Sequence, residues 1–382
     1  MSNAPLKIVY LTPALYMAGG VERVLTLKAN YFAEHFGYDI TIILTEGKDQ
    51  PLFYPLSEKI KVVNLDIGFE KLWHCSFLKK IWVYLHKQRI YRRKLTAELM
   101  RIRPDITVSL LRREINFIND IKDGSKKVGE LHINRANYRN FHTEDAGVVK
   151  RVFARFWSHS LLTHLRKLAK LVVLTEKDKT CWAELDNVVV IPDPLPFEPA
   201  AVSPLTEKRV VAVARYSHEK GIDLLLQAWA EVEKKCFEWR LDVYGDGDRT
   251  IYEKMIEQLQ IDRSRCSLHG RTNDVEQKYN QSSLFVLSSR FEGFGMVITE
   301  AMACGLPVVA FDCPWGPRSI IQDRVDGLLV DNGSVHDMAE RLLYMIAHPE
   351  EQQRMGRNAV KKAEHYKMDR VAKDWQQLFG SL

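Results

Sequence analysis

The chain carries two successive series of short apolar runs, and helical stretches separate most of these runs. In the first series, "LKIVYLTP" (6–13) and "DITIILT" (39–45) flank an amphipathic stretch over about 22–35. Strands joined through a helix are typical of a parallel sheet, because parallel neighbours need a long crossover connection. The alternation restarts at "RVVAVAR" (209–215). Further strand-like runs lie at 105–111, 126–131, 170–175 and 187–192, and then at 239–245, 267–270, 283–289, 306–312 and 327–331. The pattern predicts two α/β domains.

A proline-rich segment, "PDPLPFEPAAVSP" (192–204), separates the two series and contains five prolines. Proline neither continues a helix nor donates a hydrogen bond along a sheet, so this segment is a natural linker. A chain of 382 residues is also longer than one hydrophobic core usually organises. We therefore place the first domain at 1–192 and the second at 193–365, followed by a C-terminal helical segment at 366–382. In open parallel sheets, ligands bind beyond the carboxyl ends of the strands.

The formal net charge of +6 is unevenly distributed: residues 1–195 carry +10 and residues 196–382 carry −4. Much of the excess lies in 79–103 ("KKIWVYLHKQRIYRRKLTAELMRIR") and in 150–170, where basic residues alternate with aromatic and aliphatic ones. Such stretches suit the surface of an anionic membrane, and we expect peripheral contact with one. The alternative is a solvated basic face over an ordinary core stripe. We expect no nucleic-acid partner.

The sequence shows neither a membrane span nor a secretion signal. No apolar run approaches the roughly 18 residues that a span needs, and the N-terminus lacks a basic segment followed by an apolar one. The cysteines form no CxxC pair. They are Cys75, Cys181, Cys236, Cys266, Cys304 and Cys313. We predict reduced structural thiols and no zinc site, in a cytoplasmic protein that can lie at the inner face of the membrane.

The run "SSRFEGFGMVITEAMACGLPVVAFD" (288–312) places Glu292 and Glu300 on either side of a glycine turn. We expect this turn at the carboxyl end of a strand, with a helix after it. Gly293 and Gly295 let the backbone approach a ligand closely, and the helix start offers N–H groups to an anion. The alternative is a carboxylate pair placed there by the helix dipole alone.

A second cluster lies in "VARYSHEKGIDLLLQAW" (213–229). Arg215 ends a strand, and Lys220 stands where a helix over about 223–232 begins. A cation at a helix N-terminus faces the wrong end of the dipole, and a bound phosphate would reverse that effect. Arg215 and Lys220 are therefore candidates for a diphosphate clamp. Alternatively, Lys220 is only solvated and Arg215 pairs with Glu219.

The first domain offers two less specific candidates. Gly19 and Gly20 stand between the first strand and its helix, but without GxGxxG they indicate a tight loop near a ligand rather than a dinucleotide site. His132, in "GELHINRANY" (129–138), follows a strand end, although a lone histidine is more often structural.

The segment "YGDGDRT" (244–250) in the second domain contains Asp246 and Asp248, which spell a metal-binding Asp-x-Asp motif. It also fits a plain turn after a strand, which we favour.

The order of Arg215, Lys220, Glu292 and Glu300 resembles that of the retaining glycosyltransferases of the GT-B fold, specifically glycosyltransferase family 4 (glycosyl transferases group 1). The strongest match is "EGFGMVITEAMACGLPVVA", with its two glutamates and Gly-x-Pro-Val-Val continuation. "ARYSHEKG" and "DGLLV" also match in order and spacing. The resemblance covers most of the chain.

The resemblance implies a role for each candidate residue. Arg215 and Lys220 would hold the diphosphate of a nucleotide-sugar donor, Glu300 the ribose, and Glu292 the donor sugar. His132 would lie near the reacting sugar, and Arg271 near the base. Backbone groups of Gly19, Gly20, Gly293, Phe294, Gly295, Met296 and Val297 would complete the donor site. The catalytic set would be Glu292, His132, Arg215 and Lys220, without a metal or another cofactor.

The resemblance also implies two Rossmann-like parallel-sheet domains facing each other across a cleft, with a C-terminal helix that crosses back to the first domain. The first domain would bind the acceptor and the second the donor. The expected reaction moves a hexose or N-acetylhexosamine, with retention, from a UDP-sugar to a lipid-linked or polysaccharide acceptor in surface glycan assembly. The alternatives are a sugar-nucleotide epimerase or phosphorylase on the same scaffold, and a non-catalytic nucleotide-binding module.

Overall fold

The chain forms two compact units, each with its own sheet. Unit 1 comprises Met1–Pro194 together with Val371–Leu382, and unit 2 comprises Leu195–Arg370. The computed structural model describes residues 4–70, 77–135, 138 and 160–382. Among the described strands every pairing is parallel, which confirms the predicted α/β class with parallel sheets.

Unit 1 contains a seven-stranded sheet whose central strands are buried on both faces. Its strands are β1 (Lys7–Thr12), β2 (Asp39–Leu44), β3 (Lys61–Asn64), β4 (Ile106–Ser109), β5 (Lys126–Glu130), β6 (Lys170–Val173) and β7 (Val188–Val190). Their order in the sheet is β3-β2-β1-β4-β5-β6-β7. The helices α1 (Gly20–His35), α2 (Phe77–Ile102) and α3 (Glu176–Cys181) belong to the same unit. Val9 and Leu11 pack into one layer, and Ile8 and Tyr10 pack into the other. Burial on both faces explains why β1 and β2 are mostly apolar.

Unit 2 contains a six-stranded sheet. Its strands are β8 (Arg209–Val213), β9 (Arg240–Tyr244), β10 (Cys266–His269), β11 (Leu284–Leu287), β12 (Val308–Phe311) and β13 (Gly327–Val330), in the order β10-β9-β8-β11-β12-β13. The helices are α4 (Ile222–Val232), α5 (Thr250–Gln258), α6 (Val275–Asn280), α7 (Met296–Ala303), α8 (Pro317–Ile320), α9 (Val335–Ala347) and α10 (Pro349–Ala363). The strand order reverses between β8 and β11, so the loops after these two strands emerge together. Ligands of doubly wound folds bind at such a switch point.

The last helix, α11 (Met368–Gly380), packs on the core of unit 1. Trp375 and Phe379 are buried there, and the Phe379 ring lies edge-on to Phe32 of α1 at 6.1 Å between centroids. No helix in the described part of the chain is both long and apolar enough to cross a membrane.

All five cysteines within the described ranges are free thiols, while Cys75 lies outside them. Burial raises the pKa of Cys266, Cys304 and Cys313 to about 12 each. These thiols stay protonated at neutral pH, so they are poor nucleophiles and poor metal ligands.

Candidate functional site

Of the two glutamates singled out in the sequence, Glu292 lies in the turn after β11, and Glu300 lies in α7, which follows that turn as predicted. Gly295 caps α7 with φ +94°, a left-handed conformation that favours glycine. The ring of Phe294 is buried edge-on to Tyr366 at 5.5 Å, which anchors the turn. The N–H groups of Met296 and Val297 lie in the first turn of α7, where the helix supplies no acceptors. This end of α7 therefore favours an anion.

Lys220 and Glu292, one from each loop at the switch point, are in direct contact. Lys220 Nζ lies 2.7 Å from Oε1 and 2.9 Å from Oε2 of Glu292, and Ser289 Oγ donates to Oε1 at 2.6 Å. The Glu292 side chain is 8% exposed and that of Lys220 19%. The structure thus joins these two predicted residues into one partly buried ion pair, and Ser289 is a contact that sequence reasoning missed.

Arg215 is placed differently from Lys220. Its side chain is 70% exposed, and its Nη2 lies 3.0 Å from Oε1 of Glu219. This is the contact that the alternative interpretation predicted. An exposed ion pair of this kind contributes only about 0–1 kcal/mol to stability. An anion with a higher charge could therefore replace Glu219 as the partner of Arg215.

Glu300 is buried within α7, and the Tyr279 hydroxyl donates to its Oε2 at 3.1 Å. The buried Tyr279 comes from α6 and holds this carboxylate in one orientation. Arg271 lies exposed in the loop between β10 and α6.

The aspartates of the 244–250 segment have local hydrogen-bonding roles. Asp246 Oδ1 accepts from the N–H of Gly247 at 2.9 Å, and Gly247 has φ +118°. Asp248 Oδ1 accepts from the N–H and the hydroxyl of Thr250 at 2.9 and 2.7 Å, where α5 begins. These contacts are those of a turn and a helix start.

In unit 1, Gly19 and Gly20 form the start of α1, two residues earlier than predicted. Gly19 is the extended N-cap residue, with φ −89° and ψ 157°, and Gly20 is the first helical residue. A Cβ at Gly19 would come within 1.9 Å of the Glu22 carboxylate, which is the far end of a flexible side chain and can move aside.

His132 lies just beyond β5 in a buried cluster of charges in unit 1. Its Nε2 lies 3.0 Å from Oε1 of Glu130, and its Nδ1 lies 3.2 Å from Oδ1 of Asp193. Lys28 of α1 also contacts Glu130, and its ammonium lies 4.3 Å from the centroid of the Trp375 ring.

The charge state of His132 follows from these contacts. Burial disfavours its cation, but the carboxylates of Asp193 and Glu130 outweigh burial and raise the pKa of His132 to about 9. Burial likewise opposes ionisation of Glu130, yet Lys28 and His132 lower its pKa to about 2. With His132 protonated, the two cations and two anions balance. An imidazolium at neutral pH has no lone pair for general-base chemistry.

Glu130, His132 and Asp193 are the one group within the described ranges whose donor atoms lie close enough together for a metal ion. The two carboxylates contact different nitrogens of the ring, and Lys28 already supplies a positive charge. This arrangement suits an imidazolium better than a metal.

Comparisons with known proteins identify similar glycosyltransferases. The family model described as "Glycosyl transferases group 1" matches residues 197–362. An uncharacterized glycosyltransferase of Haemophilus influenzae is 28% identical over 377 residues, covering 97% of this chain and 99% of that protein. The poly(ribitol-phosphate) alpha-N-acetylglucosaminyltransferase of Staphylococcus aureus is 29% identical over 270 residues, covering 69% of this chain and about half, 53%, of that protein.

Solved structures show the same fold. A mutant of S. aureus TarM in complex with Fondaparinux, alpha-GlcNAc-glycerol and UDP superposes with a TM-score of 0.74 at 18% identity, covering 98% of this chain and 99% of that one. The resemblance to the glycosyl transferases group 1 is confirmed. Residues 197–362 of this chain therefore match the glycosyl transferases group 1, and the architecture is the GT-B fold that the solved structures share.

Proposed function

We propose that the protein is a retaining glycosyltransferase that moves a hexose or N-acetylhexosamine from a UDP-sugar to a lipid-linked or polysaccharide acceptor in surface glycan assembly. The observation that carries this proposal is the contact between Lys220 and Glu292 at the N-terminus of α7. It brings a cation, a helix start and a buried carboxylate together at the switch point of unit 2.

The residues of unit 2 suit a leaving group that is a nucleoside diphosphate. When the sugar–phosphate bond breaks, negative charge builds on the diphosphate, and fixed positive groups stabilise it as it forms. Lys220, Arg215 and the N–H groups of Met296 and Val297 would supply these groups. Donor binding would draw Lys220 from Glu292 to a phosphate, which frees the carboxylate for hydroxyls of the donor sugar. Glu300 would accept from the ribose, and no metal would be needed.

Two relatives support the choice of donor and acceptor. The S. aureus relative is named for transfer of N-acetylglucosamine to poly(ribitol-phosphate), and the TarM structure contains UDP. A cytoplasmic enzyme that meets such an acceptor at the inner face of the membrane fits the positive charge of residues 1–195.

Titration calorimetry with UDP, GDP and ADP, followed by incubation with UDP-sugars, tests the proposal. We expect UDP to bind most tightly and free UDP to appear slowly without an acceptor. An epimerised sugar would identify an epimerase instead, and binding without any turnover would identify a nucleotide-binding module. Unchanged turnover in EDTA is expected if no metal takes part.

A further inference from the structure

Arg290 has no assigned role, yet it connects the two loops that carry the site. Its Nη1 and Nη2 donate to Oδ1 and Oδ2 of Asp223 at 2.8 and 2.6 Å, as a fork. Nη1 also donates to the main-chain carbonyl of His218 at 2.7 Å, and the Arg290 N–H donates to the carbonyl of Glu219 at 2.8 Å. One residue of the β11 loop thus makes four hydrogen bonds to residues 218–223 of the β8 loop.

The residues that accept these hydrogen bonds lie on both sides of Lys220 in the sequence. Asp223 stands in the first turn of α4, where the helix dipole favours its negative charge. The Arg290 guanidinium lowers the pKa of Asp223, so the pair stays ionised at neutral pH. Ser288 Oγ adds a bond to the carbonyl of Lys220 at 3.0 Å. The backbone on each side of Lys220 is therefore fixed to the loop that carries Glu292.

We propose that Arg290 and Asp223 are positioning residues that hold Lys220 at the proper distance from Glu292 and from the donor diphosphate. The inference rests on the proposed function and deepens it. Arg290 acts through the main chain of residues 218–220, whereas Lys220 itself binds the phosphate. A bidentate guanidinium fixes angle as well as distance, which a lysine at the same position could not do.

The test compares Arg290→Gln and Arg290→Lys with wild type by UDP titration and amide hydrogen exchange. We expect Arg290→Gln to weaken UDP binding roughly 10-fold, because the charged group of Lys220 is then misplaced. The affinity of Arg290→Lys for UDP should lie between those of wild type and Arg290→Gln. Exchange should accelerate at the amides of Lys220 and Gly221, which donate to the carbonyls of Ser217 and His218. The matched control is Arg354→Gln, which removes a similar fork to Glu351 within α10 and should change neither reading.

A double variant separates positioning from a general structural effect. In a Lys220→Ala background, Arg290→Gln should weaken UDP binding little further, because its effect runs through Lys220. Additive losses, or wild-type affinity and exchange in Arg290→Gln, would overturn the inference. If Arg290→Gln does not fold, Arg290→Lys and Asp223→Asn decide the same question. If wild type binds no UDP, the proposed function fails, and exchange at Lys220 and Gly221 alone decides whether Arg290 fixes this loop.

Discussion

Lys220 and Glu292 neutralise each other in this structure, so a donor must exchange with one partner to reach the other. This exchange predicts a specific pattern for Glu292→Gln. The variant loses the charge that holds Lys220, so free UDP should bind as tightly as to wild type or more tightly. Turnover should fall roughly 10- to 100-fold, because a hydrogen bond to a charged group is lost at the donor sugar. Titration with UDP and steady-state kinetics measure the two effects separately. Weaker UDP binding with unchanged turnover would contradict the assignment.

Glu300→Gln is the matched comparison for Glu292→Gln, because it should weaken UDP binding more than it lowers turnover. Its carboxylate is held by Tyr279 and should bind the ribose, so the variant should weaken UDP roughly 10-fold with a smaller effect on turnover. Wild type should prefer UDP to 2′,3′-dideoxy-UDP, and the variant should lose most of that preference. Equal preference in both proteins would remove Glu300 from the ribose site.

His132 gives unit 1 a pH-dependent contribution to stability. Its pKa rises from 6.5 to about 9 on folding, so the folded state holds the proton more tightly than the unfolded chain. The resulting stabilisation, on the order of 1–3 kcal/mol, is complete below pH 6.5 and is lost as the pH rises through about 9. Urea unfolding at these two pH values should show the loss in wild type and a smaller one in His132→Gln. Equal losses would show that His132 does not carry the effect.

Among the helices, strands and turns, the sequence predicts those features whose signal lies within a short segment. The turn and helix around Glu292 and Glu300 were predictable because glycine spacing and apolar periodicity are properties of a short segment. The Arg215–Glu219 contact was foreseen as an alternative for the same reason, since the two lie four residues apart. The contact between Lys220 and Glu292 spans 72 residues and depends on β8 and β11 being neighbours, which no short segment encodes.

The contacts of Arg290 and of the cluster around His132 also join residues far apart in the sequence, so no short segment predicts them. Arg290 stands within the quoted run, but its partner Asp223 is 67 residues away. Lys28 and Glu130 are 102 residues apart, so the sequence could place His132 after a strand but could not reveal its neighbours.

The close approach of the two loops makes Gly221 sensitive to substitution. It has φ +61°, and a Cβ there would come within 2.0 Å of the Ser288 carbonyl oxygen. Gly333 has φ +83° but open space around it, so Gly333→Ala measures backbone strain alone, about 1–2 kcal/mol. Gly221→Ala should lower the melting temperature further and also weaken UDP binding, because the loop carrying Lys220 must move. If the two variants behave alike in both assays, contact between the loops does not position Lys220.

For the whole molecule, the uneven charge distribution is the feature that points to a partner surface. On α2, the side chains of Trp82 and Leu85 are 70% and 50% exposed, and Arg89 and Arg93 are exposed along the same helix. Lys87, by contrast, donates to the carbonyl of Ile67 at 2.6 Å, so its ammonium group contributes to the structure of unit 1. Residues 150–159 of the second basic stretch lie outside the described ranges.

An exposed tryptophan beside arginines suits the interface of an anionic membrane. We therefore expect the protein to sediment with anionic vesicles, less so at high salt, and little with neutral ones. Trp82→Ser should weaken sedimentation, because the ring no longer enters the interface. Phe237→Ser is the matched control, since Phe237 is 74% exposed but belongs to unit 2, where the net charge is negative. Equal binding to neutral and anionic vesicles, or equal losses in the two variants, would show that α2 does not dock on a charged membrane and that its basic face is simply solvated.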